Sequence, residues 1–260
     1  MTRKWNKQEE EKYRLELIDL YVTQNKTINE VAKILKIRPQ SVFIRLKRLN
    51  IKTCPERKKN YQNRRNDVII PKSYSPELAE FFGIMFGDGS LSHFQTMVTL
   101  GIKEMSYAKY VADLMEKIFG VIATISIRKG GYKDVYIGSV ELTSWLQREG
   151  LVFNKVKSQV DVPVWIFSRK IYMERFLRGF FDTDGSVYKI RFGIQIAFIN
   201  FSVPLLCSLH KMLKKLSYRP SEASSHKIYI TKRPEVVRFF REINPANEKH
   251  RQRFENFINA

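Results

Sequence analysis

The sequence predicts an α+β protein built from two related αββαββα halves behind a small all-α N-terminal region. Three observations lead there. Phe81-Phe82-Gly83-Ile84-Met85-Phe86-Gly87-Asp88-Gly89-Ser90 and Leu177-Arg178-Gly179-Phe180-Phe181-Asp182-Thr183-Asp184-Gly185-Ser186 are one pattern written twice, an apolar helix ending in Asp-Gly-Ser, and Asp88 and Asp184 stand 96 residues apart. The same order of alternating and helical stretches follows both copies, which marks an internal duplication. Ahead of the first copy, three short helical patterns contain a tight turn between the second and third. The expected units are residues 1–54, a basic linker 55–75, and repeats 76–170 and 171–260.

Residues 8–24 read as a charged amphipathic helix with Leu15, Ile18 and Val22 turned inward. Thr27-Ile28-Asn29-Glu30 is a capping box that opens a second helix with Ile28, Val31, Ala32 and Leu35 inward. Arg38-Pro39 starts a third, since proline suits the first helical turn. That helix buries Val42, Leu46 and Leu49 and exposes a basic face. The arrangement resembles a helix-turn-helix module, in which Gln40, Ser41, Ile44, Arg45 and Arg48 would approach the major groove. From Ile51 to Ser75 periodicity fails and charge accumulates in Arg57-Lys58-Lys59 and Arg64-Arg65, as expected of a linker.

In the repeats, Ala79, Gly83 and Gly87 recur every fourth residue, and Arg175, Gly179 and Thr183 hold the equivalent places. Such stripes let helix backbones approach closely, which would bring Asp88 and Asp184 together at one end. An aspartate in a last helical turn faces the negative end of the macrodipole, so a compensating cation is expected. The glycine after each Asp is expected at a C′ position with positive φ. Downstream of the first motif come a strand over Ser92–Leu100, a helix over 104–119, a hairpin around Lys129-Gly130-Gly131-Tyr132-Lys133 and a helix over 140–149. Strands in 187–191 and 193–198, a helix over 203–216, a hairpin around 222–231 and a helix over 234–243 follow the second.

The chain has 46 Lys and Arg against 26 Asp and Glu, a net charge of +20 that points to a polyanionic partner. A hydrophobic content of 43% argues for folded domains rather than a cationic tail. No apolar run is long enough to span a membrane, and no signal segment follows Met1, so the expected setting is soluble and intracellular, a prokaryotic cytoplasm or an organelle interior. Cys54 and Cys207 stand far apart, and the four histidines lack metal-ligand spacing.

These features resemble a LAGLIDADG homing endonuclease of the single-chain, two-repeat kind with an added helix-turn-helix region. The resemblance rests on both motif helices, the Val162-Pro163 and Trp165-Ile166-Phe167 lead into the second, and the tail Asn247–Phe254. It implies two antiparallel saddle sheets over DNA, a monomer on a long double-stranded target, and cleavage of both strands across the minor groove with Mg²⁺, Mn²⁺ and Ca²⁺ being alternatives at the same sites. Asp88 and Asp184 match the family's metal ligands, with Gly87 and Thr183 beside them, and Lys103 matches a basic residue set near the first metal. The second half has Asn200 at the matching position and no cation, which leaves Lys189, Gln195 or Lys227 as substitutes and implies either unequal cutting of the two strands or nicking. Asp182 is read as structural, two residues from Asp184 on another helix face. The strands would read DNA through Ser92, His93, Gln95, Arg128, Lys129, Tyr132, Lys133, Tyr188, Lys189, Arg191, Gln195, Ser224, His226 and Lys227. Two rival readings remain, a DNA-binding regulator that does not cut and an RNA-binding splicing cofactor; an intein is disfavoured by the Met1 start and the absence of flanking splicing residues.

Overall fold

The computed structural model describes residues 7–24, 26–51, 67–155, 157–191, 193–224 and 226–259. The chain divides into two compact units, Met1–Tyr61 and Gln62–Ala260. Cys54, and the expected linker where it runs through residues 55–66, lie outside the described residues.

In the first unit, α1 (Lys7–Leu17) runs into a π-helical turn (Ile18–Thr23), followed by α2 (Ile28–Ile34) and α3 (Pro39–Arg48). Thr27 accepts the Glu30 N–H while Glu30 reaches back to the Thr27 N–H, the capping box in full. Val42, Leu46 and Leu49 are buried with Val31 and Ala32, as expected. The expectation for the first helix needs correction: Leu15 and Val22 are 61% and 53% exposed, and Leu17, Leu20 and Tyr21 point inward. The wider π turn, closed by the Gln24 N–H to the Asp19 carbonyl, shifts the buried face away from a 3.6-residue period.

The second unit opens with residues 67–75 laid on its own core, where Val68 and Ile70 pack. Then come α4 (Pro76–Phe86), β1 (Gly89–Leu91), β2 (Gln95–Leu100), α5 (Met105–Phe119), β3 (Thr124–Ile127), β4 (Lys133–Gly138) and α6 (Val140–Arg148). A 3₁₀ turn over Val164–Ser168 leads to α7 (Lys170–Asp184), β5 (Gly185–Ile190), β6 (Gly193–Ile199), α8 (Val203–Lys215), β7 (Lys227–Ile230), α9 (Arg233–Glu242) and α10 (Glu248–Ile258). The strands form two antiparallel sheets, ordered β1-β2-β4-β3 and β5-β6-β7. The expected single strand over Ser92–Leu100 is instead a hairpin that starts at Gly89. The second half departs from αββαββα: among the described residues the first arm of its expected hairpin is held by a Ser224–Lys227 bridge and by Ser221, whose N–H donates to the Tyr229 carbonyl and whose hydroxyl accepts the Tyr229 N–H, without forming a strand.

One core serves both halves, centred on α4 and α7. Leu78 to Phe86 are all buried, which explains an apolar sequence without a polar face. A Cβ on Gly83 would lie 2.1 Å from the Phe176 carbonyl oxygen and 2.8 Å from the Phe180 nitrogen. One on Gly179 would lie 2.1 Å from the Glu80 oxygen and 2.9 Å from the Ile84 nitrogen. Shifting every residue in the first contact by the 96-residue offset gives the second, so the helices meet about a pseudo-twofold axis. The glycines after each aspartate work by close approach, not by positive φ: Gly185 is extended at φ −86°, and Cβ atoms on Gly89 and Gly185 would strike Met85 and Phe181.

Candidate metal centre and nucleic-acid interface

The α4–α7 crossing sets its carboxylates at one end. Asp184 is the last residue of α7, and Asp88 follows the α4 cap Gly87 by one residue. Gly87 and Thr183 mark the closest approach, since a Cβ on Gly87 would lie 1.9 Å from Thr183 Oγ1. Thr183 spends its hydroxyl on the Gly179 and Phe180 carbonyls.

The electrostatics of the pair are unfavourable for two free carboxylates. Burial, with the Asp88 charge adding to it, raises the Asp184 carboxyl to about 6 against Lys155 and a 3.1 Å hydrogen bond from Asn200. Burial also raises Asp88, with Glu104 adding to it and Lys155 and Lys249 opposing. The position that carried no lysine in the second half is thus filled by an amide that bonds Asp184.

Four residues at this site, Lys155, Lys249, Asn247 and Glu104, escaped the sequence reading as site residues. Lys155 Nζ donates to the carbonyl oxygens of Met85 at 3.0 Å, Phe86 at 3.2 Å and Gly87. Burial lowers the Lys155 ammonium, and Asp184 and Asp88 hold it up. Lys249 Nζ pairs with Glu104 Oε1 at 2.8 Å, and Asn247 Nδ2 donates to the same oxygen at 2.7 Å. Burial works to raise Glu104, but hydrogen bonds from Lys249, Asn247 and the Gly101 N–H leave it below its ordinary value. A signal existed: Lys155 stands 67 residues after Asp88 and Lys249 stands 65 after Asp184.

Lys103 sits exposed on the turn after β2, and the cations that act on Asp88 are Lys155 and Lys249. Asp182, fully buried, accepts the N–H groups of Ala246 at 2.9 Å and Asn247 at 3.0 Å, and so pins the segment leading into α10. Burial pushes its carboxyl up to about 7 despite those bonds.

A divalent cation fits the donor set. Two mutually adverse carboxylates and a helix-end carbonyl are hard oxygen donors that leave positions for water and phosphate. Among the described residues no group of three or more His, Cys, Asp or Glu converges into an all-protein cage. The Gly87 carbonyl, one of the expected ligands, is taken by Lys155.

The register fixes which strand residues face outward. On the first sheet the outer face holds Ser90, Gln95, Met97, Thr99, Asp134 and Tyr136. Arg128 lies over it, paired with Asp134 and 3.5 Å from Thr99 Oγ1. Ser92 and His93 form the β1–β2 turn, with the His93 ring 4.7 Å from Phe153. Lys129 and Tyr132 are exposed at the β3–β4 turn. Lys133 is a correction: paired with Leu100 on the core face and 6% exposed, it turns its ammonium to the carbonyls of Ile102 and Gly131 rather than to the outer face.

On the second sheet Tyr188 donates to Gln195 at 2.6 Å across the outer face, where Lys227 also lies, opposite Ile199. Lys189 pairs with Ile194 near the end of the β5–β6 hairpin, on the face of Val187 rather than that of Tyr188 and Gln195, and is exposed there. Arg191, Ser224 and His226 are exposed at strand ends, His226 at 4.9 Å from the Phe201 ring. In the first unit Gln40 and Arg48 are exposed and Ser41 half-buried on α3, while the Arg45 guanidinium stacks 4.6 Å from the Tyr13 ring centroid. No helix among the described residues is long and apolar enough to cross a membrane.

Over 117 residues, 45% of this chain and 6% of the relative, the sequence is 32% identical to a replication factor C small subunit of Methanocaldococcus jannaschii. The chain spans 6% and 18% of the lengths of the curated relatives it matches. Among solved structures, the N-terminal LAGLIDADG domain of DUF199/WhiA is 17% identical, with 67% of this chain and 86% of that one covered at a TM-score of 0.48. The structure of I-DmoI in complex with DNA and Ca is 16% identical, with 65% and 88% covered at a TM-score of 0.46. Residues 172–244, from the first turn of α7 to just past α9, match the family model described as the LAGLIDADG-like domain, and the chain contains a LAGLIDADG-like domain in that stretch.

Proposed function

We propose that the protein is a site-specific, metal-dependent endonuclease of double-stranded DNA. The observation that carries this reading is the placement of Asp88 and Asp184 at the joined ends of α4 and α7, each raised from its ordinary carboxylate range by burial and by a neighbouring carboxylate. A fold has no packing reason to keep two such groups together, whereas a cation site does. When bound, Mg²⁺ would supply Lewis-acid activation of water and neutralise charge on the phosphate and leaving oxygen.

The residues of the chain then divide the work. Asp88 and Asp184 hold the cations, Asn200 orients the Asp184 carboxylate through its 3.1 Å bond, and Lys155 and Lys249 offset the charge of an approaching phosphate. The outer faces of the two sheets and the net charge of +20 provide the DNA-binding surface, and α3 of the N-terminal unit provides a second contact through Gln40, Ser41, Arg45 and Arg48. Residues 1–54, 55–75, 76–170 and 171–260 act in this reading as reader, tether and two half-sites, on a long target. The Lys155 ammonium on the Gly87 carbonyl favours one second reading, a DNA-binding regulator that does not cut.

The test is cleavage of a randomised-target plasmid library with Mg²⁺ by the parent, Asp88→Asn and Asp184→Asn. Cuts at one long site, lost in both variants, are expected. Tight specific binding without cuts under any divalent metal would leave the regulator reading in place. Removal of residues 1–54 should weaken binding and make its dependence on salt shallower.

A further inference from the structure

We propose that Lys155 is a built-in cation of the two-aspartate centre, seated on the end of α4, which a divalent ion must push off the Gly87 carbonyl in order to bind on the Asp88 side. The proposal rests on the reading of Asp88 and Asp184 as metal ligands.

A helix leaves its last carbonyls without partners, and a left-handed glycine cap is the usual remedy. Here that remedy is missing: Gly87 has φ −82°, and its N–H returns only to the Gly83 carbonyl. Lys155 supplies the cap from the segment after α6. Its ammonium has three N–H donors, and three carbonyl oxygens, those of Met85, Phe86 and Gly87, take them. No donor remains for Asp88 or Asp184, so Lys155 acts on them through charge alone.

The second half solves the same problem without a cation. The Asp182 carbonyl near the end of α7 receives Asn247 Nδ2 at 3.0 Å, with His250 Nε2 at 3.3 Å. Lys249, the lysine at the equivalent spacing, is drawn to Glu104 instead. The α4 carbonyls are therefore capped by a cation and the α7 carbonyl by neutral donors, while the Lys155 charge acts on both Asp184 and Asp88. A divalent ion that takes the Gly87 carbonyl binds at the expense of the Lys155 cap.

Two measurements test this without reference to cleavage. Mn²⁺ and Ca²⁺ affinity, measured by calorimetry and by Mn²⁺ paramagnetic resonance at fixed pH, should rise about tenfold in Lys155→Met because a unit charge beside the ion is removed. Lys155→Arg, which keeps the charge, should stay near the parent. Acetylation of the parent protein, read by mass spectrometry, covers the case in which Lys155→Met fails to fold. Lys155 should label slowly without metal and several-fold faster in saturating Ca²⁺, while exposed Lys103 labels at one rate throughout. Unchanged affinity in Lys155→Met, or a Lys155 labelling rate indifferent to Ca²⁺, would overturn the proposal. A parent that never cuts DNA but shows both effects would refute the nuclease reading and leave this inference standing; a parent that cuts, with neither effect, would do the reverse.

Discussion

Gly83→Ala is the sharpest test of the helix crossing that assembles the site. The added methyl would lie 2.1 Å from the Phe176 carbonyl oxygen and 2.8 Å from the Phe180 nitrogen, both backbone atoms. No rotamer change relieves such a contact, so α4 and α7 must part by about 1 Å along their most buried stretch. That strain costs about 3 to 4 kcal/mol, of which alanine's better helix propensity returns about 1. A net loss of about 2 to 3 kcal/mol lowers the midpoint of a domain near 200 residues by roughly 4–12 °C. Urea denaturation and calorimetry measure it. Gly179→Ala should match, since its contacts with Glu80 and Ile84 are the pseudo-twofold copies of those at Gly83. The double variant should cost clearly less than the sum, because helices already parted for one methyl admit the second. A Gly83→Ala protein within about 0.5 kcal/mol of the parent, or strict additivity in the double variant, would refute the reciprocal backbone contact.

Two further outcomes follow from the site's charges. Because Asp184 titrates near 6 in the folded chain against 3.8 ordinarily, the fold holds that proton more tightly than the unfolded chain does, and stability falls as pH rises through this interval. Asp184→Asn removes the cost: it should be more stable than the parent at pH 7.5 by up to about 3 kcal/mol, the advantage shrinking by about 1.4 kcal/mol at pH 5, and a gap that ignores pH would contradict the burial argument. Asp182→Ala strands the N–H groups of Ala246 and Asn247, so denaturation should register a loss of about 3 kcal/mol and limited proteolysis should open the chain between Asn244 and Arg251; a protease-resistant tail would show that Asp182 does not hold it.

Legibility in the sequence followed the range of the interaction. The Thr27–Glu30 box spans three residues and the small-residue stripes span one helix, and both are found where the sequence puts them. The side chains around the aspartates come from far along the chain. Lys155 arrives from an irregular segment about 70 residues after the carbonyls it caps, and Lys249 reaches Glu104 across 145 residues. Lys155 lies outside any helix or strand, and Lys249 is a charged residue in the first turn of α10, so hydrophobic patterning says nothing of their partners. Strand register was equally hidden, because period-2 alternation leaves two choices of face and only the β2–β4 pairing decides that Lys133 points toward the core side. The π turn after α1 defeated a reading tied to a 3.6-residue period.

Duplication explains the scaffold, and divergence explains the asymmetry of the site. Asp182 stands where the first copy has Phe86, and that exchange has a structural consequence. Phe86 packs edge-on against Phe176, 5.6 Å between ring centroids, and keeps the end of α4 apolar. Its carbonyls then need an outside donor, which Lys155 provides. Asp182 instead draws in two backbone amides and, with them, Asn247 and His250, which cap α7 from α10. Lys249 is released to Glu104, beside Asp88 rather than Asp184. One Phe–Asp difference thus goes with opposite capping chemistry at the two helix ends: a lysine bound to carbonyls on one, neutral donors on the other. The aspartates share an axis but not an environment: a lysine holds the carbonyls beside Asp88, and Asp184 takes a hydrogen bond from Asn200.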